Sequence, residues 1–145
     1  MARLSLVETL TSFVEPQLPS LFDPHPGDVR HALGRLASGE RFAELSRAFF
    51  ANLMRRSLDY YLSRELANHI GHGDRFATDA DRRSFDAALA THCVETSHIV
   101  REFAGGCYGK TVWRDGDLSR EAAGRFAGVA FKKLRAELGR RADAA

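Results

Sequence analysis

The chain has 145 residues, 44% of them apolar and 28% charged, with a formal net charge of +2. This length and composition suit one globular domain that buries its own core, and they exclude a disordered polyelectrolyte or a repeat fibre. The charge is uneven, since residues 106–145 carry nine Lys or Arg against five Asp or Glu. Lys occurs only at 110, 132 and 133, an Arg bias that a GC-rich bacterial genome produces without functional cause.

Two cysteines, Cys93 and Cys107, come without a visible secretion signal, which predicts free thiols in a reducing cytoplasm. No run of 18 apolar residues is present, so no membrane partner is expected.

In chain order, residues 4–14 place Leu6, Val7, Leu10, Phe13 and Val14 on one side of a short helix ending before Pro16. All four prolines follow within residues 16–26, interleaved with Leu18, Leu21 and Phe22. This predicts an ordered connector laid on the core. A second short helix carries Val29, Ala32, Leu33 and Leu36, with Asp28 as its N-cap and Gly39 as its stop.

The stretch from Glu40 to Ile70 contains neither Pro nor Gly and reads as one long helix. Phe42, Leu45, Phe49, Phe50, Leu53, Met54, Tyr60 and Tyr61 make its broad apolar face, and Leu58, Leu62 and Leu66 a second row. A Gly-rich loop spans 71–77. Thr78 then caps a helix whose inner face is Phe85, Ala88, Leu89, His92, Thr96, Ile99, Val100 and Phe103, and which Gly105-Gly106 ends. The short loop predicts that the two long helices run antiparallel.

Residues 107–117 combine Tyr108, Thr111, Val112 and Trp113 with Asp115-Gly116, a pattern that predicts a short extended segment or hairpin. Ser119 caps the last helix, Leu118 staples it, and Ala123, Phe126, Ala127, Ala130, Phe131, Leu134 and Leu138 face inward. The expected architecture is all-α, an irregular bundle of three long and two short helices with that extended segment near 107–117. As a single helical domain, 1–145 divides into a helix and Pro-rich connector (1–26), a helical core (27–141) and a frayed tail (142–145).

Several constellations bear on chemistry. Residues 104–111, AGGCYGKT, fit a relaxed phosphate loop with Ala in the first glycine position. A helix rather than a strand precedes them, so a helix C-cap and tight turn is the better reading. Glu95 and His98 have the i, i+3 spacing of carboxylate-bridged metal bundles. Such a site needs a second pair, and Glu65 and His69 are spaced i, i+4. No metal, no cofactor and no catalytic set is therefore expected. His92 lies mid-stripe, with Cys93 at the edge. Tyr60, Arg64, His69 and His92 are candidates for a polar cluster or small-ligand site between the long helices, with a structural network the simpler account.

On the last helix, Arg125, Lys132, Lys133, Arg135 and Arg140 span an arc of roughly 160° opposite the apolar stripe. With Lys110 and Arg114 upstream they are candidates for sequence-independent contact with a DNA or RNA backbone. Phe22, Phe76, Tyr108 and Trp113 fall in expected connectors and are candidates for a protein interface. The sequence thus predicts a non-enzymatic protein working by protein–protein contact, as a homo-oligomer or as a small subunit or adaptor of a larger assembly. Nucleic-acid backbone binding and a small-ligand or enzymatic site are the two alternatives.

Overall fold

The structure is a computed structural model that describes residues 1–19, 24–66 and 78–143, with the backbone alone described at 65 and 66. Five helices follow one another: α1 (Ala2–Val14), α2 (Pro26–Gly34), α3 (Gly39–Leu66), α4 (Asp79–Asp115) and α5 (Arg120–Asp143), with a 3-10 turn at Glu15–Gln17. The architecture is an all-α bundle without strands among the described residues. Leu21, Phe22 and the 71–77 loop lie outside those residues.

α3 and α4 form the central antiparallel pair. Glu44 meets Arg101 at 2.7 Å. Near the start of α3, a Cβ added at Gly39 would lie 3.1 Å from the Gly105 carbonyl oxygen. Only glycines permit so close a backbone approach. This contact corrects two expectations. Gly39 opens α3 instead of ending α2, and Gly105-Gly106 lies inside α4.

The extended segment expected at 107–117 is a further correction, because α4 continues to Asp115. It ends at Gly116, whose φ of 81° is the left-handed cap conformation. Strand-like propensity at Tyr108–Trp113 yields to packing: Thr111 is buried, and Tyr108 stacks on Phe42 with ring centroids 4.9 Å apart. The start of α4 follows the expected pattern. The Thr78 N–H and hydroxyl donate to the Asp81 carboxylate, and the Asp81 N–H donates back to the Thr78 hydroxyl. At α2 the N-cap is His25, whose N–H donates to Asp28 three residues on.

α5 closes the core. Ala43, Phe50, Val100, Ala104, Phe126, Ala130 and Leu134 are buried together. Phe126 touches the rings of Phe42, Phe50 and Phe103, with centroids 5.2 to 6.3 Å apart. Each such aromatic pair adds about 0.5–1.5 kcal/mol beyond the area it buries. Phe131, expected inside, stands half out of the core with its ring edge on Phe50. α5 remains helical to Asp143.

α1 lies antiparallel on α3 and shows the least expected packing. It buries Ser5 and Thr9 rather than Leu6 and Val7. The Thr9 hydroxyl donates to the Ser5 carbonyl at 2.7 Å and accepts from the Asn52 amide at 3.0 Å. Glu8 receives Arg55 and Arg56 from α3, the latter at 2.6 Å. The Ser5 hydroxyl is buried without a partner. α2 covers only the far end of α1, where Val14, Ala32 and Leu36 are buried with Leu10, Phe13 and Leu18 against them.

Candidate functional site

The first surface is on α1. Leu4 is 59% exposed, Val7 55% and Leu6 44%. Three aliphatic side chains thus face solvent on a helix that buries Ser5 and Thr9 while Thr11 and Ser12 stay exposed. The sequence carried a signal for this. Ser5 and Thr9, four apart, form a narrow strip that brings two helix backbones close, whereas the broader apolar stripe was assigned to the core.

The second surface joins α4 and α5. Arg114 and Arg125 line one cavity of about 140 Å³ whose floor includes Phe103, Cys107, Phe126 and Val129. The Lys133 ammonium sits 5.4 Å over the Phe103 ring. Lys110 is exposed one turn before Arg114, and Lys132 and Arg135 are exposed on α5. Arg114 is forked onto Asp115 at 2.7 and 2.8 Å, and Arg140 onto Glu137 at 2.6 and 3.0 Å. The expected basic stripe is therefore divided. Arg114 and Arg125 line the cavity and Lys133 lies over its Phe103, while Arg114 and Arg140 are each paired with a carboxylate.

Of the four candidate interface aromatics, Phe22 and Phe76 lie outside the described residues. Tyr108 is half-buried at the edge of the core, stacked on Phe42. Trp113 is 90% exposed on α4.

The expected polar cluster does not assemble as a buried network. Tyr60 and Arg64 are exposed, the guanidinium carbon lying 5.4 Å over the tyrosine ring. His69 lies outside the described residues. His92 is half-buried, and no described hydrogen bond or ion pair joins it to Arg64 or Tyr60. Between the long helices lies an open cleft of about 310 Å³ lined by other side chains, including Arg55, Asp59, Arg82 and Asp86 around Leu62 and Phe85.

Cys93 and His92 exchange their expected places, since Cys93 is the buried one. Burial raises its thiol pKa; the nearby Asp59 carboxylate adds to that and Arg55 opposes it. The sulfur is held as a neutral thiol, the unreactive form. The phosphate-loop stretch 104–111 is helix interior, and the Thr111 hydroxyl donates to the Cys107 carbonyl. Its N–H groups serve the helix, so the C-cap and turn expected there are corrected as well. Glu95 accepts from Arg141 at 2.9 Å and His98 is exposed. Among the described residues no three His, Cys, Asp or Glu side chains gather to hold a metal ion. No described helix is long and apolar enough to cross a membrane.

No family model, curated protein or solved structure matches this chain.

Proposed function

We propose that the protein works by protein–protein contact rather than by chemistry of its own, with the uncovered side of α1 as its contact surface. The single observation that carries this reading is the inverted packing of α1, which buries Ser5 and Thr9 and leaves Leu4, Leu6 and Val7 in water. Covering such side chains returns about 1 kcal/mol or more each. In a two-fold contact each contributes twice, which helps offset the cost of association.

A second copy of this chain is the partner this face suits. Its exposed residues are Ala2, Leu4, Leu6 and Val7 with Arg3, Thr11 and Ser12 beside them, and Glu8 is already held by Arg55 and Arg56. An antiparallel α1–α1 pairing turns Arg3 of one copy toward the C-terminal end of the other helix, where Glu15 adds to the negative end of the dipole.

Light scattering over a range of concentrations tests this. The expected mass is a multiple of the 16.1 kDa chain, falling to one chain for Leu4→Glu/Val7→Glu with helical content unchanged by circular dichroism. A wild-type mass of one chain at every concentration refutes self-association.

A further inference from the structure

We propose that the α4–α5 cavity lined by Arg114 and Arg125, together with the exposed Trp113 that precedes Arg114 on α4, is a binding site for single-stranded nucleic acid, read through its phosphates and one stacked base without regard to sequence. The inference stands apart from the α1 contact and uses none of its residues.

Charge comes first. Arg114 on α4 and Arg125 on α5 line the cavity and Lys133 lies over its Phe103 ring, with Lys110 exposed one turn before Arg114 and Lys132 exposed seven residues after Arg125. The acidic groups nearest this run are few. Asp115 is forked onto Arg114 and also attracts Arg125, Asp117 is exposed between the two helices, Glu121 stands in the first turn of α5, and Glu137 is taken up by Arg140 and Arg141. Five cations (Lys110, Arg114, Arg125, Lys132 and Lys133) against Asp115, Asp117 and Glu121 leave a positive run along the two helices, which matches a chain of phosphates better than a single small anion.

The second observation is Trp113. An indole left 90% exposed gives up the burial that large aromatic side chains usually obtain. Trp113 stands three residues after Lys110, so the two side chains are neighbours on one side of α4. A phosphate held by Lys110, one turn before the indole, brings the adjoining base within reach of its face. Every base has such a face, so stacking confers affinity without sequence preference. A base inside a duplex is already stacked, which makes an unpaired strand the ligand.

Trp113 is the one tryptophan of the chain, so its emission reports on the site directly. The experiment titrates the full chain with an oligothymidylate of about fifteen nucleotides, with a mixed-sequence duplex of equal length and with inorganic polyphosphate as comparisons. The expected result is saturable quenching by the oligothymidylate, with affinity falling roughly 50-fold between 50 and 200 mM salt if four phosphates are neutralised.

Trp113→Ala, followed by anisotropy of a labelled strand, is expected to bind roughly ten-fold more weakly. Lys132→Glu/Lys133→Glu weakens binding on every sequence alike. Both changes are at exposed positions, and circular dichroism checks that each variant keeps its helices. No binding at 50 mM salt overturns the proposal. So does polyphosphate binding as tightly as the strand, or a duplex binding more tightly than either.

Discussion

The two ends of the α3–α4 pair are built on different plans. At one end, residues 39–51 and 93–115 have α5 across them, and Phe50, Val100 and Ala104 are almost wholly enclosed. At the other, no described residue of 52–64 or 78–92 is buried. The boundary falls where the neighbours stop. α5 reaches Glu95 through Arg141 near its own end, and α1 begins at Met1 beside Ser57. Beyond that level, among the described residues, the two helices have only each other, and two helices cannot enclose a side chain on every side. A long helix is thus not evidence of a long core. The arm keeps its helical form from hydrogen bonds within each helix and from its continuity with the packed base, and it is the part that opens first.

The largest test of this difference compares two truncations. Phe50→Ala removes the ring that meets Phe49, Phe126 and Phe131, and is expected to cost about 3–5 kcal/mol in urea unfolding. Leu62→Ala, in the open cleft of the arm, is expected to cost about 1 kcal/mol, because less apolar surface leaves water there on folding. Equal costs would mean that arm and base are enclosed alike, and the distinction would fail. Native-state hydrogen exchange supplies a second view, with amides of 79–92 exchanging faster than those of 96–104.

How much of this was legible in the sequence varies with the region. The long uninterrupted helix, the Thr78 cap, the antiparallel pairing and the aromatic centre at Phe42, Phe50, Phe103 and Phe126 follow from periodicity and caps, which are local signals. The misreadings came where a local signal met a tertiary contact. Gly105-Gly106 has the look of a helix end, yet Gly105 is spent on the approach to Gly39, more than sixty residues earlier. The Tyr108–Trp113 run favours a strand in isolation, but inside α4 it buries Thr111 and stacks Tyr108. On α1 the larger apolar stripe was chosen over Ser5 and Thr9, because their partner Asn52 lies on another helix. Cys93 and His92, one residue and about 100° apart, changed places through a modest error in the direction of the α4 face. The candidate surfaces were legible as residues, but not which of them share a groove.

The crossing at Gly39 and Gly105 sharpens the comparison from the packed side, with effects of intermediate size. A methyl at 105 would stand 3.0 Å from the Gly39 carbonyl oxygen, a backbone atom that moves only with its helix. The cost of such crowding, about 1–3 kcal/mol, exceeds the gain of about 1 kcal/mol from alanine's better helix propensity. Gly105→Ala is therefore expected to lower stability. One residue on, a methyl at Gly106 meets nothing within 4 Å. Gly106→Ala is expected to raise stability by about 0.5–1 kcal/mol. Thermal unfolding of the two variants decides it: the same sign for both would show that the close approach carries no cost.

The smallest effect lies at the boundary itself. The Glu137 carboxylate accepts from Arg140 and Arg141, and Arg141 reaches on to Glu95, tying the end of α5 to α4 where the base gives way to the arm. Hydrogen bonds from Arg140 and then Arg141 hold the Glu137 pKa down to about 2, against an ordinary 4.5. A depressed acid contributes stability that is complete above its unfolded pKa and is lost as pH falls toward its folded one. The wild type should therefore exceed Glu137→Gln in stability at neutral pH, and the gap should narrow between pH 4.5 and 2. The groups are in contact with water and screened by it, so the gap is small at any pH. Other carboxylates titrate in the same window, which makes the difference between wild type and variant the quantity to measure. A gap that stays constant down to pH 2 would mean that Glu137 is not held by its arginines. A gap that closes, with faster exchange of the last α5 amides in the variant, would place the limit of the packed base at this clamp.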